Sequence, residues 1–218
     1  MTNILNFDVV RNADVHTQPY RYIVGDGFLK EDKIEQLRQD FPTIDKPGFL
    51  TVQEVDLRGT FKQLIDELES SEMADALSSK LGLDLDSHPR LTTIRRLSQL
   101  KDGRIHTDSE SKLATFLVYM NDAWNDDGAG RLRVLNGPDD FDAMTAEISP
   151  VMGSCFGFRR ADNSWHGHKP ISGPRRAIQL NWVTSKDVVD SEQRRHQLST
   201  KIKKFTRMFI PGSVAAGH

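Results

Sequence analysis

At 218 residues and 37% hydrophobic content, the chain is long enough to bury one well-packed core, with room for a helical extension. Its 29 basic and 31 acidic residues leave a formal net charge of -2, so no global field draws it to nucleic acid or to an anionic membrane. The single cysteine, Cys155, excludes an intramolecular disulfide, no stretch approaches the ~18 to 20 uninterrupted apolar residues of a membrane helix, and the start MTNILNFDVV has no secretory pattern, which together predict a reducing, cytoplasmic setting.

Residues 1–17 mix polar and apolar types without a period, which predicts an irregular lead-in with Ile4, Leu5 and Phe7 on the core. Tyr20-Arg21-Tyr22-Ile23-Val24 is rich in β-formers and stops at Gly25-Asp26-Gly27, a strand leaving into a turn. Over 29–41, Ile34, Leu37 and Phe41 fall at helical spacing with charges opposite, and Pro42 ends the helix. Two further helices, 59–70 and 72–82, put Phe61, Leu64, Ile65 and Leu68 on one face and look like support for a sheet.

Past residue 90 the texture changes to short strands at 90–97, 112–120, 131–135, 151–158 and 175–183. The run KLATFLVYM is almost continuously apolar, as in a strand covered on both sides. Such a series predicts an antiparallel barrel or sandwich. In the tail 187–209, Ile202, Phe205 and Phe209 recur at helical spacing among basic residues, an amphipathic helix. We expect one domain over 1–218, with a β core at about 90–184.

Chemistry concentrates on this core. In extended chain, side chains two apart share a face, so His106 and Asp108 can grip one metal ion together. A histidine from a distant strand completes a set of two imidazoles and a carboxylate, the facial triad of non-haem Fe(II), and both His166 and His168 are available for it. Arg175 and Arg176 pose a similar choice, because on a strand they point oppositely and only one can enter a barrel. Cys155 lies in VMGSCFGF, which reads as buried and unreactive. Substrate selection is expected from loops at 42–58, 121–128 and 137–146, where Asp122, Asp126, Asp127, Asp139 and Asp140 gather acidic charge.

The stretches HTDSESKLATFLVYMNDAW, GAGRLRV, ISPVMGSCFGF, WHGHKP and GPRRAIQLNW, in this order, resemble the Fe(II)- and 2-oxoglutarate-dependent dioxygenases, in their prolyl-4-hydroxylase-like branch. The resemblance covers about 90–184. It implies an α+β fold, a double-stranded β-helix or jelly roll with N-terminal supporting helices and a C-terminal helix. It also implies that His106, Asp108 and His166 are the metal ligands, since Arg175 follows His166 by the family's usual interval and Pro170 stands where the family carries a proline. Arg175 and Tyr119, with Thr115 on the same face, would then hold 2-oxoglutarate. His168, Lys112, Leu132, Phe158 and Gln179 would stand behind the site or face substrate. Where the family has Gly-Gly-x-Leu, this chain has Ala129-Gly130-Arg131-Leu132, a departure that spares the metal site.

The implied reaction is hydroxylation of an aliphatic C–H with Fe(II), 2-oxoglutarate and O2, ascorbate being a candidate stimulant. The substrate is a small molecule or peptide, with no nucleic acid expected. A metal-binding barrel that senses or binds without turnover is the alternative.

Overall fold

The computed structural model describes residues 3–124 and 127–195. Its centre is a six-stranded antiparallel sheet built from β1 (Tyr22–Gly25), β2 (Phe49–Thr51), β3 (Arg90–Ser98), β4 (Lys112–Tyr119), β7 (Cys155–Arg159) and β9 (Gly173–Val183), in the order β1-β7-β4-β9-β3-β2. Facing it is a three-stranded sheet of β6 (Met144–Ile148), β5 (Leu132–Leu135) and β8 (His166–Gly167), with β5 in the middle. Two antiparallel sheets face to face, with helices on the outer side of the larger one, make an α+β double-stranded β-helix.

Pairing register sorts the side chains. Residues paired across antiparallel strands share a face, so Leu91, Asn181, Thr115, Phe158 and Tyr22 form one row, and Thr93, Gln179, Leu117 and Phe156 the next. Phe49, Arg95, Ala177 and Tyr119 form a third. These rows look toward the smaller sheet, where Leu117, Phe156 and Phe158 pack with Leu132, Val134 and Ile148. The alternate residues, Ile94, Phe116, Val118, Ile178, Leu180 and Trp182, look the other way into a core shared with the helices.

Those helices are α1 (Phe7–Asn12), α2 (Ile34–Gln39), α3 (Gly59–Leu68) and α4 (Ser71–Leu81). In α3 the buried residues Phe61, Leu64, Ile65 and Leu68 recur at one-turn spacing and make a single apolar stripe. In α4 the Ser70 hydroxyl accepts the Met73 amide hydrogen at 3.2 Å, and Gly82 ends the helix at φ 66°, a left-handed position that glycine takes without strain.

Five segments depart from expectation. Residues 7–12, expected irregular, are helical; six residues are too few to show a period, and the helix stands on burial of Phe7 and Val10 and on a 2.7 Å ion pair from Arg11 to Glu72. The helix expected over 29–41 is a short 3-10 turn, Glu31–Lys33, followed by α2. Residues 49–51 and 144–148, both expected in loops, are strands. Residues 151–154, expected in a strand, form a turn before β7. Helical structure continues over 186–195, while Ile202, Phe205 and Phe209 lie outside the described residues. Among the described residues, no helix is long and apolar enough to cross a membrane.

Candidate active site

A cavity of about 580 Å³ opens between the two sheets, lined by the members of the rows above on β2, β3, β4 and β9 other than Ala177, with Arg175, the 103–112 segment, Leu132, β8 and one face of helical residues 186–195. At one end stand His106, Asp108 and His166, each offering a ligand atom, all within 4.8 Å of one another. Asp108 and His166 are buried while His106 is exposed, so the cluster has one side toward solvent.

Backbone holds both imidazoles in the same manner. The Arg104 carbonyl lies 2.8 Å from Nδ1 of His106, and the Ser164 carbonyl lies 2.9 Å from Nδ1 of His166. Each carbonyl accepts the Nδ1–H, which leaves the Nε2 lone pair of each ring turned to the cluster. The two segments meet because His106 and His166 exchange backbone hydrogen bonds of 3.0 Å, and Gly167 permits the approach: a Cβ there would lie 2.8 Å from the Gly103 carbonyl oxygen. The Phe158 ring lies behind His166 at 4.8 Å between centroids, outside the cavity itself.

The carboxylate is held from the opposite side. Lys112 Nζ donates to Asp108 Oδ1 at 2.8 Å, and the Thr115 hydroxyl donates to Oδ2 at 2.5 Å. Burial alone would push this carboxyl up, but the Lys112 ammonium and His166, with the Lys112 and Thr115 hydrogen bonds, outweigh it and hold it down at about 2. Burial pushes His166 down to about 4 against the pull of Asp108, so its ring is neutral at pH 7. A carboxylate has about four lone-pair sites, so the two hydrogen bonds leave room for a metal. Two imidazoles and one ionised carboxylate fit a divalent transition ion.

At the other end lies Arg175, 3% exposed. Its Nε donates to the Gly130 carbonyl at 2.8 Å, one terminal nitrogen lies 3.4 Å from the Tyr119 hydroxyl, and the guanidinium sits 5.1 Å from the centre of that ring. Burial raises the Tyr119 hydroxyl pKa against the opposing charge of Arg175, so it is a phenol able to donate. The geometry separates the two candidate arginines, because Arg176 lies on the opposite face, 5.1 Å over the Phe41 ring.

His168 lines the cavity too, 4% exposed, with its ring against Gly103, whose φ of 81° and missing Cβ make the space. Burial, then the charge of Arg175, pushes its pKa down to about 3. Leu132 and Gln179 line the cavity, Gln179 donating to Asn181 Oδ1 at 3.1 Å. Thr115, grouped with the 2-oxoglutarate anchors by resemblance, spends its hydroxyl on Asp108 instead. Cys155 is fully buried and its thiol is pushed up to about 12 by burial, which suits a core residue.

The expected substrate loops fare unevenly. Phe49, from 42–58, lines the cavity, but no described residue of 121–128 or 137–146 does. Asp122 pairs with Arg38 at 2.6 Å, and Asp127 and Asp140 accept nearby backbone N–H groups. Asp126 lies outside the described residues. Residues not singled out from the sequence also reach the cavity: Arg95, Thr93 and Asn181 by strand register, and Val188 and Glu192, beside Arg195 of the basic tail, from one face of the last helix. Alternation along β3 puts Arg95 on one face with Leu91 and Thr93, and pairing with β9 shows that this face is inward.

Residues 94–184 match the 2OG-Fe(II) oxygenase superfamily. Among solved structures, the chain is similar to a prolyl 4-hydroxylase from Phytophthora capsici, at 15% identity and TM-score 0.55, covering 85% of this chain and 68% of that one. It is similar to a Pseudomonas putida prolyl-4-hydroxylase at 16% identity and TM-score 0.55, covering 84% and 94%. A prolyl hydroxylase from Trichoplax adhaerens, in complex with a hypoxia inducible factor oxygen degradation domain peptide fragment, aligns at 19% identity and TM-score 0.51 over 86% and 91%. No sequence among the curated proteins matches this chain.

Proposed function

We propose that this chain, whose fold is prolyl-4-hydroxylase-like, is a 2-oxoglutarate-dependent Fe(II) oxygenase that hydroxylates an aliphatic C–H of a small molecule or peptide, with His106, Asp108 and His166 as iron ligands and Arg175 and Tyr119 anchoring the far carboxylate of 2-oxoglutarate. The observation that carries the reading is the presence in one cavity of a two-histidine, one-carboxylate cluster within 4.8 Å and a buried guanidinium beside a phenol hydroxyl.

Bound iron and 2-oxoglutarate supply the oxidation: one O2 is divided between the substrate hydroxyl and succinate, and CO2 leaves. The chain's own part is orientation and exclusion. Lys112 and Thr115 keep Asp108 ionised and fixed, and the carbonyls of Arg104 and Ser164 keep Nε2 of each ligating ring free to bind. With its Nε tied to Gly130, Arg175 presents a rigid fork that can bind a carboxylate through two parallel hydrogen bonds. Leu117 and Leu132 close the walls with apolar surface, and Phe158 backs His166. A cytoplasmic location belongs to the same proposal, since Fe(II) and the lone thiol of Cys155 suit a reducing compartment.

Anaerobic titration of metal-free protein with Fe(II) and 2-oxoglutarate tests the assignment through the weak visible charge-transfer band of a chelated keto acid. The band should form in the wild type and vanish in His166→Ala. In Arg175→Ala it should demand roughly 10- to 100-fold more 2-oxoglutarate, the loss of charge-assisted hydrogen bonds. A folded, iron-loaded wild type without the band overturns the reading and leaves the non-catalytic metal-binding barrel.

A further inference from the structure

The cavity carries more positive charge than iron, 2-oxoglutarate and their proposed ligands balance. Arg95 lies in the same row as Ala177 and Tyr119, is 9% exposed, and holds its guanidinium 4.1 Å from the centre of the Phe49 ring. Its polar contacts are thin. One terminal nitrogen donates to Ser98 Oγ at 3.3 Å, the other lies 3.8 Å from Asp102 Oδ2, and the buried Nε has no partner. A guanidinium has five N–H donors, and donors buried without acceptors are costly; burial pulls the Arg95 pKa down to about 10 for that reason.

Arg95 is not a duplicate of Arg175. From β9, Arg175 leans over Tyr119 on β4 and bonds to Gly130, whereas Arg95 leans over Phe49 on β2, on the other side of β9. The two forks enter one cavity from different strands, within reach of each other's charge.

Charge points the same way. Among the arginine, lysine and carboxylate side chains there, Arg95, Arg175 and Lys112 are positive, Asp102 and Asp108 negative, and the Glu192 and Arg195 pair cancels. A divalent iron and a dianionic 2-oxoglutarate cancel each other as well. One positive charge remains, and Arg95 is the guanidinium with donors to spare.

We infer that Arg95 receives a carboxylate of the primary substrate, which makes that substrate a small organic acid. The inference rests on the function proposed above, because it is there that 2-oxoglutarate occupies Arg175. A single residual charge matches a carboxylate better than a phosphate dianion, and better than an uncharged sugar or prolyl segment. The Arg95 row lies four residues along the strand from the row carrying Thr115, roughly 13 Å, so several bonds separate the carboxylate from the carbon to be hydroxylated. Phe49, Leu91 and Thr93 give that intervening stem a largely apolar wall.

Saturation-transfer NMR on full-length protein loaded with redox-inert Zn(II) and 2-oxoglutarate tests this without turnover. The probes are short straight-chain monocarboxylates and free amino acids, each beside its primary amide, together with simple alkyl phosphates. Acids should bind at least about tenfold tighter than their amides, the scale of a charge-assisted hydrogen bond. Arg95→Gln should erase that preference and Arg95→Lys should restore part of it, with 2-oxoglutarate affinity moving less than threefold in both. The acid-to-amide contrast in the wild type holds whether or not a variant folds. The inference is overturned if no acid binds, if acids and amides bind alike, if phosphates are preferred, or if Arg95→Gln weakens 2-oxoglutarate as much as Arg175→Ala does. A wild type that fails to bind 2-oxoglutarate defeats the parent reading; one that binds it without preferring acids defeats only this one.

Discussion

The two faces of the large sheet are both covered, yet they are chemically opposite. Toward the helices, β3, β4 and β9 present Ile94, Phe116, Val118, Ile178, Leu180 and Trp182, a continuous apolar layer. Toward the smaller sheet the same strands present Thr93, Arg95, Thr115, Gln179 and Asn181 among Leu117 and Tyr119. Polar residues on a water-facing sheet need no explanation. On a face roofed by a second sheet they must find partners, and here they find one another and a cavity. One face stores stability and the other holds chemistry, and substitutions should separate the two.

The largest effect is expected on the apolar face. Phe116 is fully buried and meets Phe28 edge-on at 5.2 Å between ring centroids. Phe116→Ala should cost about 3 to 5 kcal/mol of unfolding free energy, measured by denaturant titration. In the fraction that remains folded, the 2-oxoglutarate titration should move less than threefold, because the residue has no surface on the cavity. A large change in co-substrate affinity would mean that the two faces are not independent.

This division was only partly legible in the sequence. KLATFLVYM reads as an apolar run, so strand and double coverage were clear while the inward face was not; pairing with β7 and β9 settles it. In RRAIQLNWV the alternation was visible, but Gln179 and Asn181 fit a solvent face as well as a pocket. His106 and Asp108 could be found because their spacing is local, and the ligand ambiguity between His166 and His168 yields to contacts: the neighbours of His166 are His106 and Asp108, while His168 lies near Arg175. Arg95 was hidden because nothing local distinguishes it from Arg96, which donates to the Ile44 carbonyl at 3.0 Å outside the cavity. Strands β2, β6 and β8 are two to five residues long, too short to show a period and dependent on their partners.

A second, intermediate effect belongs to pH and to the cavity face. In metal-free protein the unfolded chain protonates each histidine near the ordinary 6.5, whereas folded His166 and His168 resist until about 4 and 3. Between those values the unfolded state binds more protons, so stability falls as pH falls. Each imidazole should contribute roughly 2 kcal/mol of loss between pH 7 and 5. His168→Phe should remove about half of this slope in denaturant titrations; an unchanged slope would show that the ring is not buried neutral. Asp108 acts at lower pH with the same sign, its stabilisation fading as pH drops through 3.8 toward about 2.

The smallest effect discriminates most finely, because it concerns one hydroxyl. Thr115→Val keeps the side chain's shape and deletes the donor that meets Asp108 at 2.5 Å. If Thr115 orients the carboxylate, Fe(II) affinity should fall about tenfold, the lower end of what is lost when a group supporting a ligand is removed. Stability should drop about 1 kcal/mol. With iron saturating, 2-oxoglutarate should bind as in the wild type. If the hydroxyl held the co-substrate instead, as its shared face with Tyr119 suggests, the pattern would invert: metal affinity would stay and the keto acid titration would weaken. Paired anaerobic titrations, one in Fe(II) and one in 2-oxoglutarate, therefore decide which end of the cavity Thr115 serves, and the bond to Asp108 favours the metal end.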